Sequence, residues 1–279
     1  MSINWFPGHM VKARRVIQEN IKLVDIIIIV LDARAPFACR NLLLEKMASH
    51  KTVLFILNKS DLVTAQDLKR LTALFQDQGH QVIAVDSHTG KGFAAVFHTI
   101  KSLFAPQLEQ MIRKGRRERR VRIMVAGAPN VGKSTFLNKM VGRKTTRTGA
   151  KPGVTRDKQW VRIKENYELL DTPGLMWPNI ETREQGIKLA LLNIIGEKAY
   201  NQNDVVLFFL EFLREKTPDI LQQKFALEPG TLKEPEEMLA HIARRRGNLL
   251  KGGKLDTDKT CTALLQEFRS GALGKICLD

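Results

Sequence analysis

The run Gly127-Ala128-Pro129-Asn130-Val131-Gly132-Lys133-Ser134 stands directly behind the apolar stretch Val121 to Ala126. A Gly-x-x-x-x-Gly-Lys-Ser sequence in that position calls for a strand, a tight backbone turn and a helix in immediate succession. The turn points successive N–H groups at one spot, and the helix N-terminus adds partial positive charge facing it, which together make a cradle for phosphate. Lys133 would bridge the outer phosphates and the Ser134 hydroxyl would coordinate Mg2+, with Asn130, Val131, Gly132 and Thr135 completing the nucleotide contact. The plainer reading of the run by itself is a glycine-rich turn.

Further elements fall where a nucleotide site needs them. Asp171-Thr172-Pro173-Gly174 follows the strand-like Tyr167 to Leu170, so the Asp171 carboxylate can hold magnesium through a water while the Gly174 N–H reaches the γ-phosphate. Thr155 lies between the loop and Asp171, where a hydroxyl can become a further magnesium ligand; its plain alternative is an ordinary loop threonine. Asn58-Lys59-Ser60-Asp61 follows the apolar run Val53 to Leu57. Asp61 can accept two hydrogen bonds from the N1–H and N2 amine of guanine, a pair adenine lacks, so adenine would leave the carboxylate unpaired at a cost of several kcal/mol. Asn58 would tie this loop to the phosphate loop, and the stem of Lys59 would lie over the base. Asp86-Ser87 ends a second strand-like segment, Gln81 to Val85, where a backbone N–H can meet the guanine carbonyl. Taken alone, Asn-Lys-Ser-Asp also suits a helix N-cap.

These are the parts of a Ras-like GTPase in permuted order, with guanine recognition upstream of the phosphate loop. The order, the opening Trp5-Phe6-Pro7-Gly8-His9-Met10 and Asp32-Ala33-Arg34-x-Pro36 together resemble the circularly permuted GTPases of the YlqF type, the ribosome biogenesis GTPase A family. The resemblance is densest over the first 178 residues and includes Lys251-Gly252-Gly253 and Asp258-Lys259-Thr260. It implies a GTPase, slow alone and stimulated by the particle, that binds rRNA in late assembly of the large (50S) subunit and leaves after GTP becomes GDP. The alternatives are an RNA-binding assembly protein with a structural nucleotide, and a GTPase acting on the small subunit or tRNA. In Ras-like enzymes a Gln after the Asp-x-x-Gly element orients the attacking water, whereas Leu175 cannot hydrogen-bond. The resemblance points to His9 as the catalytic substitute, its plain role being to cap the first helix or fix the N-terminal loop. Asn130 suggests a potassium ion, K+, held as related enzymes hold one.

Short apolar runs at 26 to 31, 53 to 57, 82 to 85 and 121 to 126 alternate with helical stretches at 40 to 49, 64 to 78 and 91 to 104. The expected fold class is α/β: a circularly permuted Ras-like P-loop GTPase domain with a doubly wound, mostly parallel sheet over residues 1 to 178, followed by a small all-helical domain. Gln107 to Arg120, dense in arginine, reads as a loop-like crossover. From Asn179 to 279 amphipathic helices are expected at roughly 181 to 200, 203 to 215, 235 to 246 and 257 to 269, punctuated by Pro218, Pro229, Gly230 and Pro235. Movement of the Asp171 switch could reorient this second, RNA-binding domain.

Charge points to the partner. Thirty basic residues face fourteen acidic ones up to residue 178, against fifteen and fifteen beyond it, so the net +16 belongs to the first domain. It gathers at Lys12, Arg14 and Arg15, at Arg113, Lys114, Arg116, Arg117, Arg119 and Arg120, and at Arg143, Lys144, Arg147, Lys151, Arg156 and Lys158. The second domain has the local patch Arg244, Arg245, Arg246, Lys251 and Lys254. Three clusters suit RNA phosphates with salt-sensitive binding, while any one suits a solvated surface. No DNA or membrane partner is expected: the longest apolar run, Ile26 to Leu31, is too short to span a bilayer. Cys39, Cys261 and Cys277 are odd in number and far apart, and the six histidines are scattered, which argues against disulfides and zinc. A soluble, cytoplasmic monomer is expected, its basic first eighteen residues read as mature sequence rather than as a presequence.

Overall fold

The computed structural model describes residues 18–116, 118–142, 160–163, 166–170, 180–228, 230 and 234–279. The chain divides into two compact units between residues 179 and 180.

The first unit is built on six strands: β1 (Ile26–Asp32), β2 (Thr52–Asn58), β3 (Gln81–Ala84), β4 (Val121–Gly127), β5 (Trp160–Ile163) and β6 (Tyr167–Leu170). Its helices are α1 (Pro36–Cys39), α2 (Leu42–Met47), α3 (Ala65–Asp77), α4 (Phe93–Arg113) and α5 (Lys133–Val141). The spatial order is β3-β2-β1-β4-β6-β5, parallel throughout except for the edge strand β5, which runs antiparallel to β6. β1 is Ile-Ile-Ile-Ile-Val-Leu-Asp and is buried at every position, as a β-branched run covered on both faces must be. It pairs with β2 from Ile26 opposite Thr52 to Asp32 opposite Asn58, and with β4 from Ile26 opposite Ile123. The α/β sheet expected from the apolar runs is therefore present. β5 lies beyond those runs, because Trp160–Ile163 is short and only Ile163 is buried.

From the central pair the chain departs both ways: β1 leads to β2 and β3, β4 to β5 and β6. Such a switch point opens a crevice at the carboxyl ends of the strands, where open α/β sheets bind ligands. The residues at that edge are Asp32, Asn58, the loop after Ala84, and Gly127.

The crossover differs from expectation. Helix α4 does not stop near 104 but continues through Pro106 to Arg113. Phe93, Val96, Ile100 and Phe104 anchor it on the sheet, and Gln107-Leu-Glu-Gln-Met-Ile-Arg is made of residues with good helix propensity, which outweighs the ladder bond lost at the proline. It ends where Gly115 takes φ +68 and the Arg116 N–H donates to Met111 O at 3.0 Å. Only Gln107 to Arg113 departs from the expected crossover: the described residues from Lys114 to Arg120, where the charge is densest, lie outside the helix.

The second unit is helical: α6 (Arg183–Leu191), α7 (Gln202–Lys216), α8 (Pro218–Phe225), α9 (Pro235–Arg245) and α10 (Thr257–Ser270). The helix expected over 181 to 200 is cut at Leu191 by Asn193 in the left-handed region, φ 58. Pro218 separates α7 from α8 and also starts α8, a helix not among those expected, since a proline at the first helical position forfeits no bond. Val205, Val206, Phe209, Leu210 and Leu213 of α7 share a core with Ile242 of α9 and Leu264, Leu265 and Phe268 of α10, with the Phe209 and Phe268 rings 4.9 Å apart. Among the described residues no helix is long and apolar enough to cross a membrane.

Candidate functional site

The phosphate loop leaves β4 at Gly127. A side chain there would stand 2.5 Å from Val30 O, so β4 turns against β1 only because the residue is glycine. Asn130 and Gly132 then take left-handed conformations, φ 61 and +90. α5 begins at Lys133, and the Phe136 N–H donates to Gly132 O at 2.9 Å. Lys133, Ser134 and Thr135, partly buried, occupy its first turn, where the outward N–H groups and the helix dipole favour an anion.

The guanine-type loop is joined to this turn at two points. Asn58, 1% exposed at the end of β2, donates from Nδ2 to Val131 O at 2.8 Å and accepts at Oδ1 from Ser87 Oγ at 2.7 Å. Lys59 takes the left-handed conformation, φ 59, and its Nζ donates to Asn130 O at 2.8 Å. Ser60 N–H donates to Val85 O at 3.1 Å, and Asp61 stands exposed on a short turn, Ser60–Leu62. Segments more than seventy positions apart thus meet through the protein's own side chains.

Asp86 organises the loop that follows β3. Its N–H donates to Lys91 O at 3.0 Å, and its carboxylate accepts from the N–H groups of His88 (2.8 Å) and Thr89 (3.3 Å) and from Thr89 Oγ1 (2.5 Å). Burial raises its pKa, but these donors outweigh burial and hold the carboxyl below its usual value. Asp86 shapes the loop that carries Ser87, and its own N–H is engaged there.

Asp32 and Arg34 belong to the signature segment, but their residue types alone assign them no task. Both are buried; Arg34 donates from Nε to Oδ1 at 3.0 Å and from Nη2 to Oδ2 at 2.8 Å. Lys59 Nζ lies 2.8 Å from the same Oδ2. Burial pushes the Asp32 carboxyl up, yet the two cations hold it lowered on balance. A carboxylate closing an otherwise apolar strand is the signal that could have found them.

The basic crossover is partly committed. Arg119 grips Asp25 with two bonds of 2.7 Å, while Arg120 and Arg122 face Glu168 at 3.4 and 3.7 Å. Arg113, Lys114 and Arg116 are exposed. His9, Thr155, Asp171, Gly174 and Leu175 lie outside the described residues.

The comparisons agree with this geometry. The family described as RsgA GTPase matches residues 8–181, and the one described as 50S ribosome-binding GTPase matches 122–243. The chain is 38% identical to ribosome biogenesis GTPase A of Bacillus cereus, covering 100% of this chain and 94% of that protein. It is 31% identical to mitochondrial ribosome-associated GTPase 1 of Mus musculus, over 99% and 89%. The crystal structure of GNP-bound YlqF from T. maritima superposes with a TM-score of 0.66 at 26% identity, over 96% of this chain and 97% of that one. With guanine-type and phosphate loops joined at the switch point of a permuted sheet, the chain belongs to the YlqF-type ribosome biogenesis GTPase A family, enzymes that bind guanine nucleotide, hydrolyse GTP and serve ribosome biogenesis.

Proposed function

We propose that this GTPase is an assembly switch for the large ribosomal subunit, a cytoplasmic monomer that docks on rRNA of the precursor when GTP-bound and leaves after hydrolysis. The observation that carries the nucleotide reading is the double tie from Asn58 and Lys59 to the carbonyls of Val131 and Asn130, which fixes base and phosphate sites relative to each other. Asp61 accepts from the guanine edge, Asn58 and Lys59 hold its loop, and the Ser87 side of the neighbouring loop faces the carbonyl. N–H groups at the start of α5 and the Lys133 ammonium receive the phosphates.

Ser134, Thr155 and Asp171 would hold Mg2+; an all-oxygen donor set beginning at the phosphate-binding helix suits that ion, which supplies charge neutralisation at the phosphates when bound. Gly174 senses the γ-phosphate. His9 orients the water in place of the hydrocarbon Leu175, and Asn130 helps hold K+. Residues 1 to 178 carry the GTPase, and residues 179 to 279 carry an RNA contact through Arg244, Arg245, Lys251 and Lys254. The large-subunit choice is supported by the match described as a 50S ribosome-binding GTPase, and an RNA partner by the positive charge of the first domain.

The test is GTP turnover with purified large subunits, small subunits or tRNA, at low and high potassium. Stimulation by large subunits alone, lost in His9→Ala with GTP affinity retained, is the expected result. Stimulation by small subunits or tRNA instead would overturn the choice of particle, and unchanged turnover in His9→Ala would remove His9 from the mechanism.

A further inference from the structure

We propose that Asp32 is a positioning residue for guanine-nucleotide affinity, its buried carboxylate clamping Lys59 against the phosphate loop. The inference rests on Asn58 to Asp61 being the guanine-recognition loop.

A lysine is a poor strut by itself. Its four-carbon stem carries about 2 kcal/mol of rotamer entropy, and a strongly hydrated ammonium does not seek a backbone carbonyl unaided. Here Lys59 Nζ stands 2.8 Å from Asn130 O and 2.8 Å from Asp32 Oδ2, so one carboxylate sets where the ammonium rests and therefore where its stem runs. The carboxylate is itself immobile. Asp32 is the last residue of β1, paired in register with Asn58 of β2, and Arg34 holds both of its oxygens. Arg34 also donates its N–H to Asp32 Oδ1 at 3.1 Å, closing a tight turn over the strand end.

β1 lies between β2, which carries the guanine loop, and β4, which carries the phosphate loop. An acid at the end of β1 is thus placed to fix a side chain spanning its two neighbours. With Lys59 already ordered, nucleotide binding is spared the cost of ordering it. Because the stem acts on the base and not on the γ-phosphate, GTP and GDP should benefit alike.

The experiment compares Asp32→Asn, Lys59→Met and their combination by fluorescent GTP and GDP binding, saturated turnover and urea unfolding. Asp32→Asn is expected to weaken both nucleotides about tenfold, the range of one lost charge-assisted bond, with kcat unchanged. The double variant is expected to lose no more affinity than Lys59→Met alone. Arg34→Met, which frees the carboxylate but leaves the Asp32–Lys59 contact in place, should lower stability and weaken both nucleotides less than Asp32→Asn does. If Asp32→Asn fails to fold, Asp32→Asn with Arg34→Met removes the stranded buried charge and still releases Lys59. Full affinity in the Asp32 variants, or losses that add to those of Lys59→Met, would overturn the proposal. Undiminished affinity in Lys59→Met would instead sink the underlying guanine-loop reading.

Discussion

Gly132→Ala tests whether the two nucleotide loops are locked as rigidly as their hydrogen bonds suggest. Gly132 has φ +90, and a Cβ built on it would fall well inside van der Waals contact of Asn58 Nδ2. An amide at the end of a side chain could normally swing away. Asn58 is held at both ends, by Val131 O and Ser87 Oγ, so moving it breaks bonds in a buried place. Left-handed backbone costs alanine about 1 kcal/mol, and stranding a buried amide group costs about 1–3 kcal/mol more. The control is Gly142, at the other end of the same helix, with φ +73 and open space around its Cβ position. Gly142→Ala should therefore lose about 1 kcal/mol and Gly132→Ala about 3 kcal/mol in urea unfolding. Gly132→Ala should also weaken GTP at least tenfold, because the start of α5 shifts with the loop. Equal stability of the two variants, with normal GTP affinity in Gly132→Ala, would refute the lock.

Two further outcomes follow from the same contacts. His80 lies 3.0 Å from Arg40 Nη2, and burial first, then the Arg40 charge, hold its pKa below 6.5. The unfolded chain takes that proton near pH 6.5 and the folded chain resists it, so stability should fall as pH drops below that value; urea midpoints at about pH 7.5 and 5.5 should differ less in His80→Gln, and an unchanged difference would exclude His80 as the cause. If the proposed RNA contact runs through these residues, replacing Arg113, Lys114 and Arg116 with Gln should flatten the salt dependence of RNA binding by roughly one counterion per charge, whereas Arg119→Gln should act on stability through Asp25. Equal effects on RNA binding would show that pairing does not sort these arginines.

Much of the sheet was legible because four short apolar runs, the first almost wholly β-branched, are bounded by polar segments, and such runs fit strands covered on both faces. The phosphate loop was legible because its glycines and lysine occur at fixed offsets from a strand. Single local cues misled. Gln107 to Arg113, ahead of the densest charge, carries helix formers and is helical, and Pro218, which separates two helices, also starts the second. The part the Asp86 carboxylate plays in holding the turn after β3 had no signal in the sequence.

Asp32 shows why the remainder was hidden. Nothing in Asp-Ala-Arg-Ala-Pro says which lysine the acid will meet, since that depends on β1 being inserted between β2 and β4. In this permuted order the guanine loop precedes the phosphate loop by about seventy residues, and the two are brought together by β1 and by three side chains, Asp32, Asn58 and Lys59. A change at Asp32 leaves both loop sequences intact while loosening the hold of one on the other. Motif integrity and nucleotide affinity are therefore separable in this fold, and the separation is set at the carboxyl end of β1.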